Sequence, residues 1–202
     1  MAQRDHPKKG SSIKVDPIKD PKDIKTLKEL LRDKPRDYCL FTLGINTALR
    51  ASDLLRIKVK DVRALKPMDE LELKETKTKK HRRLTLNASC IDAITKLLES
   101  TPFQDDDFLF RSKRPHVNSP DKQVLTVSSM NRLVKDWCKK IHLKGNFGAH
   151  TLRKTFGYHQ RVRFNTPIPE LMQVLNHASQ RQTLEYLCIQ PEEIRSVYAN
   201  EI

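Results

Sequence analysis

Apolar residues recur at helical spacing along nearly all of this chain, and the one stretch where they alternate is short. Met130, Leu133, Val134, Trp137, Cys138 and Ile141 follow i, i+3, i+4, i+7, i+8 and i+11, which predicts an amphipathic helix over 128–141. Asp20-Pro21 offers an N-cap followed by proline at the first helical position, with Ile24, Leu27 and Leu31 on one face beyond it. That helix should stop at Lys34-Pro35, because a residue before proline avoids the α region. From Arg36 a second helix carries Tyr38, Leu40, Phe41, Leu43 and Ile45, apolar almost all round, so it should be central. Further helices are expected from Ser52 (Leu54, Leu55, Ile57), around Ile91, Ile94, Leu97 and Leu98, from near His150, over 168–175 and over 178–187. Only Leu71 and Leu73, then Leu84 and Leu86, alternate about a charged turn, as in a β-hairpin with one apolar face. The pattern predicts a mainly α fold with a small antiparallel β-sheet (α+β).

A chain of 202 residues can bury a real core in one domain. Residues 1–19 hold Pro7, Gly10, Ser11, Ser12 and Pro17 and few apolar groups, and are expected to form a flexible basic arm; 20–190 form the domain proper. In 191–202, Pro191 precedes Ile194, Val197 and Tyr198 along one narrow edge, as expected for a docking segment. The five glycines, at 10, 44, 145, 148 and 157, match neither a P-loop nor a G-x-G-x-x-G turn, so no nucleotide cofactor is expected. Cys39, Cys90, Cys138 and Cys188 stand far apart among apolar neighbours, which points to buried reduced thiols. With no H-E-x-x-H and no clustered histidines, no metal is expected either. No apolar run reaches the roughly 18–20 residues of a membrane span, and the polar N-terminus does not read as a secretory signal, so the expected place is the cytoplasm and no membrane partner.

Lysine and arginine number 39 against 25 acids, a net charge of +14, which makes a polyanion the leading partner. The run from Lys74 to Arg83 alone carries six cations and one acid, and reads as a solvated turn. Arg111, Lys113 and Arg114 form a second patch, continued by Lys139, Lys140, Lys144, Arg153, Lys154, Arg161 and Arg163. Part of this charge is ordinary solubilising surface; the remainder suits a phosphate backbone, where cations gain by releasing counterions.

Three segments sharpen that reading: Thr47-Ala48-Leu49-Arg50-Ala51-Ser52-Asp53-Leu54-Leu55, His150-Thr151-Leu152-Arg153-Lys154-Thr155-Phe156-Gly157, and Leu175-Asn176-His177-Ala178-Ser179-Gln180 running on to Leu184-Glu185-Tyr186. Their order and spacing, with a tyrosine nine residues after the last histidine and a basic hairpin between the first two, resemble the box motifs of the tyrosine recombinases, the phage-integrase family. The resemblance spans residues 20–190. It implies a catalytic domain that acts on double-stranded DNA with inverted-repeat sites, assembling as a homotetramer on paired sites.

Cutting a phosphodiester without metal takes a nucleophile, cations about the phosphate and an acid for the leaving oxygen. By the resemblance Tyr186 is the nucleophile, forming a covalent phosphotyrosyl link. Arg50 and Arg153 clamp the non-bridging oxygens, since a guanidinium matches phosphate geometry and keeps its charge. His150, one helical turn before Arg153, moves the tyrosine proton. His177 hydrogen-bonds the phosphate, and Lys77 in the hairpin turn protonates the departing 5′ oxygen, with Lys79 and Lys80 its neighbouring competitors. Each residue also has an ordinary structural use: a capping histidine, an ion-paired arginine, a packed tyrosine. His142 and His159 fit no role in this scheme.

The chain departs from the family pattern in three places. Ala48 and Asn176 stand where glycine is frequent, asparagine being the next best residue for left-handed backbone. Lys154 replaces a frequent histidine. Most members also carry a separate helical domain ahead of this one; here a short arm precedes the first helix, so either a compact stand-alone form, which is the expectation, or a fragment of a longer chain is implied. Two other readings stay open: a type IB topoisomerase-like enzyme, and a DNA-binding regulator that keeps the fold without chemistry.

Overall fold

The computed structural model describes residues 15–76, 79–112, 123–187, 195 and 198–201. Eight helices and one two-stranded sheet occupy these residues: α1 (Pro21–Leu31), α2 (Pro35–Asn46), α3 (Ala51–Leu54), β1 (Glu70–Lys74), β2 (His81–Thr85), α4 (Ala88–Ser100), α5 (Val127–Lys140), α6 (Ala149–Val162), α7 (Ile168–Val174) and α8 (Gln180–Leu187). The expected mainly α architecture with a small antiparallel sheet is what the chain adopts.

Local signals account for the helix ends. Asp20 caps α1 by accepting from Lys22 N at 2.8 Å, Asn87 caps α4 through Cys90 N, and Thr126 caps α5 through Ser129 N, each satisfying an N–H that the first turn leaves unpaired. α2 is the central helix: Cys39 to Gly44 are all buried, and α1, α4 and α6 pack around it. Gly44 makes the α2–α6 approach possible, since a Cβ there would come within 2.5 Å of Leu152 Cδ1. Phe41 meets Trp137 of α5 edge-to-face at 6.2 Å, in the preferred geometry for an aromatic pair.

β1 and β2 pair antiparallel with Leu71 opposite Leu84 and Leu73 opposite Arg82. Leu71 and Leu86 are buried, while Leu73 and Leu84 are half-buried, so the alternating leucines do anchor the hairpin. The solvated reading of the whole 74–83 run is corrected: Glu75 is wholly buried and Arg82 nearly so, because Arg82 shares a strand face with Leu84 and turns its charge inward.

The expected arm also needs shortening. Residues 15–19 pack against the domain, with Ile18 1% exposed. Ile18 N donates to Thr155 Oγ1 and Ile18 O accepts from His159 Nε2, both at 2.9 Å. Asp16 pairs with Asn146 through main chain and side chain. One isoleucine between polar residues carries no periodicity, and its partners lie about 140 residues away, so sequence pattern could not announce it. His159, without a role in the sequence reading, is one of those partners.

Cys39, Cys90 and Cys138 are buried free thiols, as their apolar neighbours suggested; Cys188 lies outside the described residues. Most of the basic loop 111–123 and of the docking segment 191–202 also lies outside them, though Tyr198 is exposed. No helix among the described residues is long and apolar enough to cross a membrane.

Candidate active site

Four short pieces of chain meet at one edge of the helical core: the turn before α3, the end of the hairpin, the middle of α6, and the α7–α8 turn with α8. Ala48, at φ 53°, and Asn176, at φ 47°, take left-handed backbone there although neither is glycine. Both positions matter for where carbonyls point. Arg153, 3% exposed in the middle of α6, donates from Nη1 to Ala48 O and from Nη2 to Leu175 O. A single buried guanidinium thus ties the first and third sequence boxes to the second.

Arg50 sits at the N-cap position of α3 with its side chain 18% exposed. Its Nη1 lies 2.9 Å from Glu75 Oε2, and its Nη2 donates to Asn176 O at 3.4 Å. Arg82 reaches the same carboxylate at 3.2 Å and donates to Val174 O at 2.7 Å and Thr47 O at 3.4 Å. Asn176 Nδ2 completes the set by donating to Glu75 Oε2 at 2.7 Å. Nearby, Asp53 Oδ1 accepts from Thr76 N at 2.8 Å, pinning the hairpin to α3.

Tyr186 is carried by α8, whose seat depends on Gly157: a Cβ there would lie 2.8 Å from Leu187 Cδ2. The ring of His177 meets the Tyr186 ring edge-on at 5.0 Å. Arg153 stands 6.0 Å and Lys154 Nζ 5.4 Å from the same ring centroid. His177 Nδ1 is 3.0 Å from Thr183 Oγ1, a buried hydroxyl one turn into α8, which fixes the imidazole plane.

Burial shapes the electrostatics. It pulls the Arg153 pKa from 12.5 down to about 10, helped by the neighbouring Arg50 and Arg82 and opposed by the Tyr186 hydroxyl beside it. Arg153 therefore remains charged at neutral pH. Burial also lowers Arg82, against the pull of Glu75. His177 falls from 6.5 to about 4, first through burial and then through Arg153 and Arg50, so its imidazole is neutral at pH 7.

Of the six residues singled out in the sequence, Arg50, Arg153, His177 and Tyr186 converge on this edge. His150 is exposed on the first turn of α6, one turn before Arg153. Lys77 lies outside the described residues. Glu75 and Arg82 were missed. Their signal was present in one respect, an acid alone among six cations, but nothing local distinguishes an inward from an outward charge on a strand. Among the described residues no group of three or more His, Cys, Asp or Glu side chains could hold a metal ion.

The fold just described recurs in solved recombinases. The crystal structure of XerA recombinase superposes with a TM-score of 0.71 at 24% identity, over 96% of this chain and 65% of that one. XerH site-specific recombinase bound to its palindromic difH substrate gives 0.71 at 20%, over 94% of this chain and 55% of that one. These fix the fold as that of a tyrosine recombinase catalytic domain. The sequence comparisons go further: the phage integrase family profile matches residues 20–193, and the chain belongs to that family of tyrosine recombinases. A probable integrase/recombinase, YoeC, of Bacillus subtilis strain 168 is 36% identical over 187 residues, covering 91% of this chain and 95% of that protein. Tyrosine recombinase XerC of Caldanaerobacter subterraneus subsp. tengcongensis is 31% identical over 166 residues, 80% of this chain but 44% of its own length.

Proposed function

We propose that this chain is a site-specific DNA recombinase that cuts and rejoins DNA through a 3′-phosphotyrosyl intermediate, without metal or cofactor. The observation that carries the reading is the convergence of Arg50, Arg153, His177 and Tyr186 from three segments spread over 137 positions of sequence. No packing requirement calls for two guanidinium groups about a histidine–tyrosine pair, whereas a pentavalent phosphate does. The charge on Arg153 survives burial, and Arg50 faces the more open side. Neutral His177, whose Nδ1 is held against Thr183 Oγ1, offers one donor to a non-bridging oxygen when its hydrogen is on Nε2. Tyr186 attacks phosphorus, its proton passes to His150, and Lys77 delivers a proton to the 5′ oxygen as the P–O bond breaks. Rejoining reverses each transfer, so the bond energy is conserved in the phosphotyrosine.

The DNA substrate follows from the charge and from the neighbours solved on DNA, and inverted-repeat sites bound by four copies follow from the family resemblance. Segment 191–202 is assigned to contacts between copies. The test is a nicked suicide duplex that traps the intermediate: a covalent adduct mapped to Tyr186 is expected. Adduct on another tyrosine removes Tyr186 from the nucleophile's role, relaxation of supercoiled DNA without strand exchange points to the topoisomerase-like reading, and neither adduct nor relaxation to a non-catalytic regulator. Binding should weaken about a thousandfold or more between low and moderate salt if six to ten phosphates are contacted; a flat response rejects the basic surface as the interface.

A further inference from the structure

Glu75 is the one acid in the basic hairpin run, and it is not at the surface. Its side chain is 0% exposed, and its two oxygens accept from Arg50 Nη1 (2.9 Å), Asn176 Nδ2 (2.7 Å) and Arg82 Nη1 (3.2 Å). Its main chain ties together the two sides of the hairpin's end: Glu75 N donates to Lys80 O and Glu75 O accepts from Lys79 N, both at 2.9 Å. One residue therefore holds the hairpin turn by its backbone and the arginine clamp by its side chain.

A carboxylate buried among three donors is a poor choice for packing alone, because an apolar residue of similar volume usually serves stability as well or better. It also adds negative charge close to where a phosphate would sit. Three guanidinium groups, of Arg50, Arg82 and Arg153, stand against two buried acids, Glu75 and Asp53, so the cluster remains positive. What the carboxylate supplies is direction. Arginine has many rotamers, and charge-assisted hydrogen bonds of fixed geometry remove that freedom before substrate arrives.

We propose that Glu75 is a positioning residue that presets the Arg50 guanidinium for the scissile phosphate and couples it to the hairpin turn and to the Asn176-His177 loop. The inference rests on the phosphotyrosyl-transfer reading. Glu75 touches no reacting atom, and acts through Arg50. Misplacing a clamp by about 1 Å costs on the order of a hundredfold in rate.

The experiment is single-turnover adduct formation on the suicide duplex by the full chain, with binding and thermal unfolding measured alongside. Glu75→Gln should keep DNA affinity and slow adduct formation about tenfold to a hundredfold. The defect should persist on a substrate with a 5′-thiolate leaving group, which needs no acid, and should add little to Arg50→Ala in the double variant. Rescue by the thiolate would instead place the effect on the leaving-group side and overturn coupling through Arg50. Glu75→Asp, which keeps the charge one methylene short, should fall between wild type and Glu75→Gln. If either variant folds and cleaves at the wild-type rate, the inference fails while the recombinase reading stands. Loss of folding in both variants assigns Glu75 to the fold alone and overturns the positioning role. A wild-type chain that forms no adduct overturns the underlying reading and this inference with it.

Discussion

The molecule has two apolar regions of very different character. The larger lies between α1, α2, α4, α5 and α6 and is built mainly from leucine, isoleucine, valine and aromatic side chains such as Phe41, Phe110 and Trp137, with the three buried cysteines among them. The smaller consists of Ala48, Leu171, Leu175 and Leu187, with Phe156, Ile168 and Tyr186 against it. Around it run the buried charges: Arg153, Glu75 and Asp53. The first region is held by area removed from water, a non-directional force that tolerates small shifts. The second is held by hydrogen bonds to charged groups, which are directional and expensive to leave unmade. A site that must orient cations within tenths of an ångström belongs to the second kind, and the first supplies the rigid surface on which it stands.

Breaking this contrast is a matter of separating stability from chemistry. The largest separation should come from Tyr186→Phe: covalent adduct disappears, while the unfolding free energy changes by no more than about 1 kcal/mol, since one oxygen is lost and the ring stays. Adduct still formed by this variant, mapped to Tyr198, would remove Tyr186 from its role. Arg153→Ala should damage both properties. Two main-chain carbonyls lose their donor, costing on the order of 3 kcal/mol, and adduct formation falls about a hundredfold to a thousandfold. Phe41→Ala should do the opposite of Tyr186→Phe, costing about 3–5 kcal/mol of stability with the rate per folded molecule preserved; a rate loss larger than the folded fraction explains would mean that the two regions are not separable.

A smaller effect concerns acid. His177 titrates near 4 in the folded chain and near 6.5 when unfolded, so the unfolded state takes up the proton first. Its contribution is whole above pH 6.5 and drains away as pH falls toward 4. Melting temperatures of wild type and His177→Asn should therefore converge or cross on acidification through that window; parallel curves would show that His177 is not held neutral. The smallest change is expected from Ala48→Gly. Releasing an alanine from φ 53° gains roughly 1 kcal/mol, and losing its buried methyl costs about 0.8 kcal/mol. Calorimetry should find a net shift within about 1 kcal/mol, and a loss above about 2 kcal/mol would make the methyl contact dominant.

Sequence alone determined the helices, their caps and the hairpin. Asp20-Pro21, Asn87 and Thr126 act within three residues of themselves, and the α5 stripe or the Leu71/Leu73 alternation repeats within a few turns, so the period carries the information. Four of the six named site residues converge, because the box motifs that single them out are contiguous strings. Sequence alone also left α2 in its central place, through apolar residues on every face. Tertiary structure decided the rest. Whether Glu75 or Lys79 faces inward, whether Ile18 is a strap or an arm, and which carbonyls hold Arg153 all depend on partners 22 to 141 residues away. Such partners leave no periodic trace, since a buried charge is made tolerable by the groups that surround it in space and not by its neighbours in the chain.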